Sequence, residues 1–260
     1  MNGTHHFLMP PEQKNEKIIV TPETKLSILM TFLFSFLVIW SNFSERPEVF
    51  VPEKIIPRAV SSREIVRGDV SKRQVIFTFD GGDGILSARK ILGALAKHKV
   101  KGTFFLTGKF IEAHQAITKQ INEEGHEIFS HTYDHPHLTE ISSKEISLEM
   151  RKTDQILEQT IGKSSGPYFR APYGDRDGRV ITEMFRDGYQ SVYWTIDAMD
   201  WLEKEGKTKD EVKNLIASSL APGNIYLMHI GDNITGDILD EVFSNIESQG
   251  YKIVSLTQGL

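Results

Sequence analysis

Two histidines four residues apart, His131 and His135, follow a β-rich run at Glu127–Ser130. On a helical turn this spacing puts both imidazoles on one face, where they can chelate a metal ion. Asp80 ends a second β-rich run, and Gly81-Gly82-Asp83-Gly84 follows it, so the backbone can turn sharply there. Taken alone, Asp80 reads equally as a helix N-cap or an Asx turn. Arg170 closes a third run just ahead of Pro172, where it can pair bidentately with a carboxylate or form a structural salt bridge. Asp197 and Asp200 belong to the cluster Trp194–Trp201. His229 ends the apolar run Ile225–Met228, as a core histidine or as a group that moves protons. The chain has no cysteine, which excludes a thiolate zinc site, a cysteine nucleophile and a disulfide framework. Any metal must be held by histidines and carboxylates.

All five clusters lie at the C-terminal ends of strand candidates, where parallel β/α folds carry their sites. The candidates are Val75–Asp80, Thr103–Leu106, Glu127–Ser130, Tyr168–Arg170, Tyr189–Ile196, Asn224–His229 and Tyr251–Ser255. Between them lie runs with apolar residues at helical spacing: Ile91, Leu92 and Leu95; Ile146, Met150, Thr153 and Leu157; Val212, Leu215 and Ile216; Ile238, Val242 and Ile246. Gly125, Gly188 and Gly250 stand where helices are stopped. Strand–helix alternation about seven times over predicts an α/β fold with a parallel sheet. The count favours closure into a barrel over a doubly wound sheet, although periodicity by itself leaves both open.

Residues 1–25 are polar and without period, which predicts a disordered tail. Residues 26–44 carry no charge, and about 19 residues at 1.5 Å each reach roughly 28 Å, enough for one transmembrane helix. An uncleaved anchor is preferred to a signal peptide, because Ser41–Ser44 makes a poor cleavage site, and to a core helix. Lysines before the segment and basic residues after it balance, so charge does not set its orientation. Residues 45–65, with Pro47, Pro52 and Pro57, read as a stalk or linker, leaving 66–260 as one domain. A net charge of −5 gives no sign of a nucleic-acid partner.

The motifs Thr78–Gly82 (T-F-D-x-G), His131–His135 (H-T-x-x-H), Arg170–Gly174 (R-x-P-Y-G), Asp197–Trp201 (D-x-x-D-W) and Leu227–His229 (L-x-H) occur in this order. Together they resemble the polysaccharide deacetylase family, carbohydrate esterase family 4 or the NodB-homology domain, from about residue 66 to the C-terminus. The resemblance implies a distorted (β/α) barrel of about seven strands and metal-dependent removal of N-acetyl groups from a polysaccharide. It implies a metal on His131 and His135, Asp80 as general base held by Arg170, and the Tyr173 N–H as an oxyanion donor. It implies His229 as general acid, tethered by Asp200 in the first instance or Asp197 in the second, with Trp201, Leu227 and Pro172 around the acetyl group. The family's usual metal-binding aspartate directly after the base is replaced here by Gly81. Asp83 is the candidate replacement, with Gly81-Gly82 as a flexible insertion. A two-histidine site completed by water, or a site without metal, are the alternatives. Zn2+ suits such ligands best, with Co2+, Ni2+ or Mn2+ as alternatives. The expectation is a monomeric, single-pass cell-membrane protein with its domain outside the cytoplasm, acting on peptidoglycan amino sugars. A chitin-like or exopolysaccharide substrate, or glycan binding without catalysis, are the competing readings.

Overall fold

The computed structural model describes residues 64–82 and 84–260. Its centre is β1 (Gln74–Gly81), buried along its whole length. Such a strand is covered on both faces, which is why its sequence is nearly continuous in apolar residues. The faces nevertheless alternate. Phe77 and Phe79 join the main core, where Phe77 stacks on Tyr226 at 4.8 Å and meets Phe243 edge-on at 5.0 Å. Each such ring contributes about 1.5–3 kcal/mol through burial. Thr78 and Asp80 turn the other way and both meet Arg170.

The remaining elements are α1 (Ala88–His98), β2 (Thr103–Leu106), α2 (Gly108–Ala113), α3 (Gln115–Glu123), β3 (Glu127–Ser130), α4 (Ser143–Ile161) and β4 (Tyr168–Phe169). They continue with α5 (Gly178–Arg186), β5 (Gln190–Ser191), β6 (Ile196–Asp197), α6 (Lys209–Ser218), β7 (Ile225–His229), α7 (Ile234–Ser248), β8 (Lys252–Val254) and α8 (Leu256–Gly259). Capping boxes at Ser142/Glu145 and Thr208/Glu211 start α4 and α6. The residues expected to face the core do so: Ile91 and Leu95, Ile146 and Met150, Val212 and Ile216, Ile238 and Val242 are all buried.

Seven parallel strands, in the order β5-β4-β3-β2-β1-β7-β6, curl into a half-barrel, and β8 pairs the start of β1 as an eighth. Closure into a complete barrel is thus corrected. The run Tyr189–Ile196 is not one strand but two short ones, β5 against β4 and β6 against β7, at opposite ends of the sheet. The chain between them bonds instead to the segment entering the domain: Tyr193 N–H donates to Ile65 O, and Thr195 Oγ1 to Val66 O. Ile65 itself bridges Val192. Among the described residues no helix is long and apolar enough to cross a membrane. The expected tail, span and most of the stalk, residues 1–63, lie outside the described residues.

Candidate active site

The ends of β1, β3, β4 and β7 place Asp80, His131, Arg170 and His229 on one face of the sheet. Arg170 is fully buried, with its guanidinium 4.2 Å above the Phe105 ring. It donates to Asp80 Oδ1 at 2.7 Å, to Thr78 Oγ1 at 2.8 Å and to the carbonyls of Val192 and Tyr193. Burial opposes charge on the Asp80 carboxyl, but the Arg170 guanidinium, with the charged His229, outweighs it and holds the group below the usual carboxylate range. Asp80 is therefore an ionised carboxylate with one oxygen anchored on Arg170. Its other oxygen, Oδ2, lies 3.5 Å from His131 Nε2.

The two histidines meet, but not on a helical turn. Residues 131–135 form an irregular loop, with Thr132 at φ 65° and His135 at φ 62°. Left-handed backbone at residues other than glycine is costly unless something holds it. The holder is Glu149 of α4, a buried carboxylate that accepts from the N–H groups of Tyr133 at 3.0 Å and Asp134 at 2.7 Å. Sequence reasoning missed this residue, although a carboxylate on the apolar face of α4, between Ile146 and Met150, was the available signal. Glu149→Ala is expected to release the loop, weaken Zn2+ binding at least tenfold in a calorimetric titration and lower the melting temperature, because it removes the acceptor of two part-buried N–H groups.

His131 Nδ1 donates to the Arg170 carbonyl at 2.9 Å, which leaves Nε2 with its lone pair. That atom faces His135 Nε2 at 3.2 Å. A tetrahedral cation with Zn–N bonds of 2.0–2.1 Å would hold two such nitrogens about 3.3 Å apart. Burial pushes both rings below the usual histidine range, His135 to about 4 with help from His131, so both stay neutral near pH 7. The donor set therefore fits a divalent metal. Asp83 lies outside the described residues. Gly81 is not a flexible insertion, since it pairs with Leu106 as the last residue of β1.

His229 faces Asp200. Its Nδ1 donates to Asp200 Oδ1 at 2.9 Å, and its own N–H to Oδ2 at 2.7 Å. Thr235 Oγ1 donates to the same Oδ2, and Asp200 is fully buried. Asp197 is not the tether: it accepts from Met199 N–H and, at 3.4 Å, from Trp201 Nε1. Burial disfavours charge on His229, but the bond from Asp200 and the charges of Asp200, Asp80 and Asp232 push it up to about 9. Because the folded value exceeds the unfolded one, the associated stability is complete below about pH 6.5 and is lost as pH rises through about 9. An imidazolium that must donate a proton gives kcat/KM an alkaline limb in the same range, and a pH–rate profile checks it.

Asp200, His229 and Asp232 offer ligand atoms all within 4.8 Å of one another, a second group that could hold a cation. Asp200 already accepts from His229 Nδ1 at Oδ1 and from His229 N–H and Thr235 Oγ1 at Oδ2, so a cation there would share a carboxylate that is largely engaged. The paired histidines, with facing lone pairs, are the better-prepared donors.

At the rim, Tyr173 is held at φ 59° within the turn Pro172–Gly174, its ring meeting His135 edge-on at 4.5 Å and stacked on His137 at 4.1 Å. Pro172 and Leu227 are buried, whereas Trp201 is half exposed. The arrangement brings together an ionised carboxylate, a histidine pair that fits a metal and a protonated imidazole, groups that together can hydrolyse an amide.

Comparison with known proteins agrees with this geometry. The family model described as polysaccharide deacetylase matches residues 67–192. The peptidoglycan-N-acetylmuramic acid deacetylase PdaA of Bacillus subtilis is 32% identical over 189 residues, covering 73% of this chain and 72% of its own. A peptidoglycan-N-acetylglucosamine deacetylase of Bacillus cereus is 33% identical over 193 residues, covering 73% and 69%. Among solved structures, a CE4 family pseudoenzyme from Bacillus anthracis superposes with a TM-score of 0.72 at 29% identity, over 77% of this chain and 69% of that one.

Proposed function

Because this chain belongs to the polysaccharide deacetylase family, carbohydrate esterase family 4, we propose that it hydrolyses N-acetyl groups of peptidoglycan amino sugars, tethered to the membrane by residues 26–44 with its domain outside the cytoplasm. The observation that carries this reading is the pair of facing imidazole nitrogens, 3.2 Å apart, beside an aspartate fixed by a buried arginine. His131 and His135 would hold the metal, with Asp83 as the third ligand. A bound Zn2+, or Co2+, Ni2+ or Mn2+ in its place, supplies an acidified water and a polarised acetyl carbonyl. Asp80 takes the proton of the attacking water through Oδ2, the oxygen that Arg170 leaves available. The Tyr173 N–H donates to the acetyl carbonyl oxygen as it takes on negative charge when the water adds to its carbon. His229, kept charged by Asp200, gives its proton to the departing amide nitrogen, so the sugar leaves as an amine and the acyl group as acetate. Trp201, Leu227 and Pro172 surround the acetyl methyl.

The peptidoglycan assignment is supported by the activities named for relatives near 30% identity and by an anchor that would keep the enzyme beside the wall polymer. Chitin-like chains or exopolysaccharide are the runner-up substrates. A second reading, glycan binding without catalysis, draws on one specific feature, Gly81 where the family carries a ligand, and on the likeness to a pseudoenzyme. Acetate release from purified peptidoglycan and from GlcNAc oligomers separates these readings. The proposal expects release from peptidoglycan above all; faster release from the oligomers would move the substrate to chitin-like chains, and release from neither would favour the binding protein.

A further inference from the structure

Arg176 takes no part in the reaction proposed above, yet it is among the most firmly engaged side chains near the site. Its guanidinium makes a paired contact with Glu64, Nε to Oε1 and Nη2 to Oε2, both at 2.8 Å. Ser191 Oγ, at the end of β5, donates to the same carboxylate at 2.8 Å, and the next residue, Ile65, bridges Val192. Glu64 is thus fixed in the entering segment from two sides. The remaining arm of Arg176, Nη1, donates to the Gly174 carbonyl at 3.0 Å. The guanidinium lies 3.5 Å over the Tyr193 ring, which in turn stacks on Trp194 at 3.8 Å. Gly174 is pressed against that stack: a Cβ there would lie 2.7 Å from Trp194 and 2.8 Å from Tyr193.

Between these fixed points sits the left-handed Tyr173. Its loop is gripped by Asp80 through Arg170 at one end and by Glu64 through Arg176 at the other. Left-handed backbone at a tyrosine persists only when its surroundings over-determine it. Two parallel charge-assisted bonds of the Arg–carboxylate kind are among the strongest local restraints available.

We propose that Glu64 is a positioning residue: through Arg176 and the Gly174 carbonyl it holds the Tyr173 peptide in place, so that the segment leading into the domain is latched to the oxyanion side of the site. The proposal rests on the role given to Tyr173 above. Loss of the latch lets the donor drift, and misplacement by about 1 Å can cost on the order of a hundredfold in rate.

The test uses the full-length chain with Glu64→Gln, Arg176→Lys and Glu64→Gln/Arg176→Gln. For Glu64→Gln, kcat for acetate release is expected to fall roughly tenfold or more, with KM and Zn2+ affinity within about twofold of the parent. Arg176→Lys, which keeps the charge but loses the fork, should move the same way, and the double variant should be no worse than either single one. The near-ultraviolet circular dichroism from the Tyr193–Trp194 stack should change in each. Parent-like kcat in Glu64→Gln overturns the proposal, and so does a kcat loss matched by an equal loss of Zn2+ affinity, which would mark general loosening. If the parent chain releases no acetate, the deacetylase reading has failed. The latch is then judged by the dichroism: a changed signal in Glu64→Gln keeps it as the restraint on this loop, and an unchanged one removes it.

Discussion

Replacing Asp80 with asparagine is expected to lower turnover by about a thousandfold while weakening the fold by about 3 kcal/mol. The two effects have separate causes. The amide cannot accept the water's proton near neutral pH, which removes general base catalysis. It also leaves Arg170, fully buried, without its only anionic hydrogen-bond partner among the described residues. The hydrogen bonds to Thr78 Oγ1 and to the carbonyls of Val192 and Tyr193 remain, which keeps the cost below that of a wholly abandoned charge. Arg170→Met in the same background should recover part of the stability and none of the activity, because it removes the stranded charge without restoring the base. Steady-state kinetics and denaturant melts of the three proteins check this. An Asp80→Asn chain with near-parent turnover would remove Asp80 from the reaction.

Gly81→Asp, the substitution that copies the family's usual ligand into this chain, is expected to damage the protein and leave metal affinity unimproved. A Cβ at position 81 would lie 2.7 Å from Leu106 Cδ2, 3.0 Å from Ile230 Cδ1 and 3.3 Å from Phe110 Cδ2. Those atoms belong to the apolar side of β1, opposite the face that carries Asp80. A carboxylate pushed there would be crowded and desolvated at once. The expected cost is about 2–4 kcal/mol, or roughly 4–16 °C in melting temperature for a domain of this size. Gly81→Ala separates the two terms, since it brings the crowding without the charge and should cost less. Asp83→Ala, in contrast, should weaken Zn2+ binding at least tenfold relative to a surface aspartate control, because two imidazoles alone hold the ion poorly. Calorimetric titration of the three variants reads both outcomes. Tighter Zn2+ binding by Gly81→Asp with an intact fold would show that position 81 can reach the metal, and an unaffected Asp83→Ala would exclude Asp83 as a ligand.

Much of the fold was legible because β1, β2, β3 and β7 are covered on both faces, so each appears as a short apolar run with sharp ends. Tyr189–Ile196 misled for a physical reason. Its β-branched and aromatic residues suit a strand, but Tyr193 and Thr195 take their partners from Ile65 and Val66, which no local pattern announces. The same tertiary partner explains why the domain takes in Glu64, within a stretch that reads as linker. At the site, residue types at strand ends pointed to Asp80, the histidine pair, Arg170 and His229, which the fold brings to one face of the sheet. The loop that joins His131 to His135 was not legible: a threonine is a poor residue for left-handed backbone, and Thr132 adopts it because Glu149 binds the two peptides that follow. Sequence left Asp200 and Asp197 as alternatives, and only the through-space bond from His229 Nδ1 chooses between them.

The most direct test of the central claim is acetate release from peptidoglycan by the chain after chelation and after reloading with Zn2+. Metal-dependent deacetylation predicts release that falls to background when the metal is stripped and returns in proportion to the Zn2+ bound, with saturation at one ion per chain. Release that is unchanged by stripping, or that stays absent at full occupancy, would contradict it.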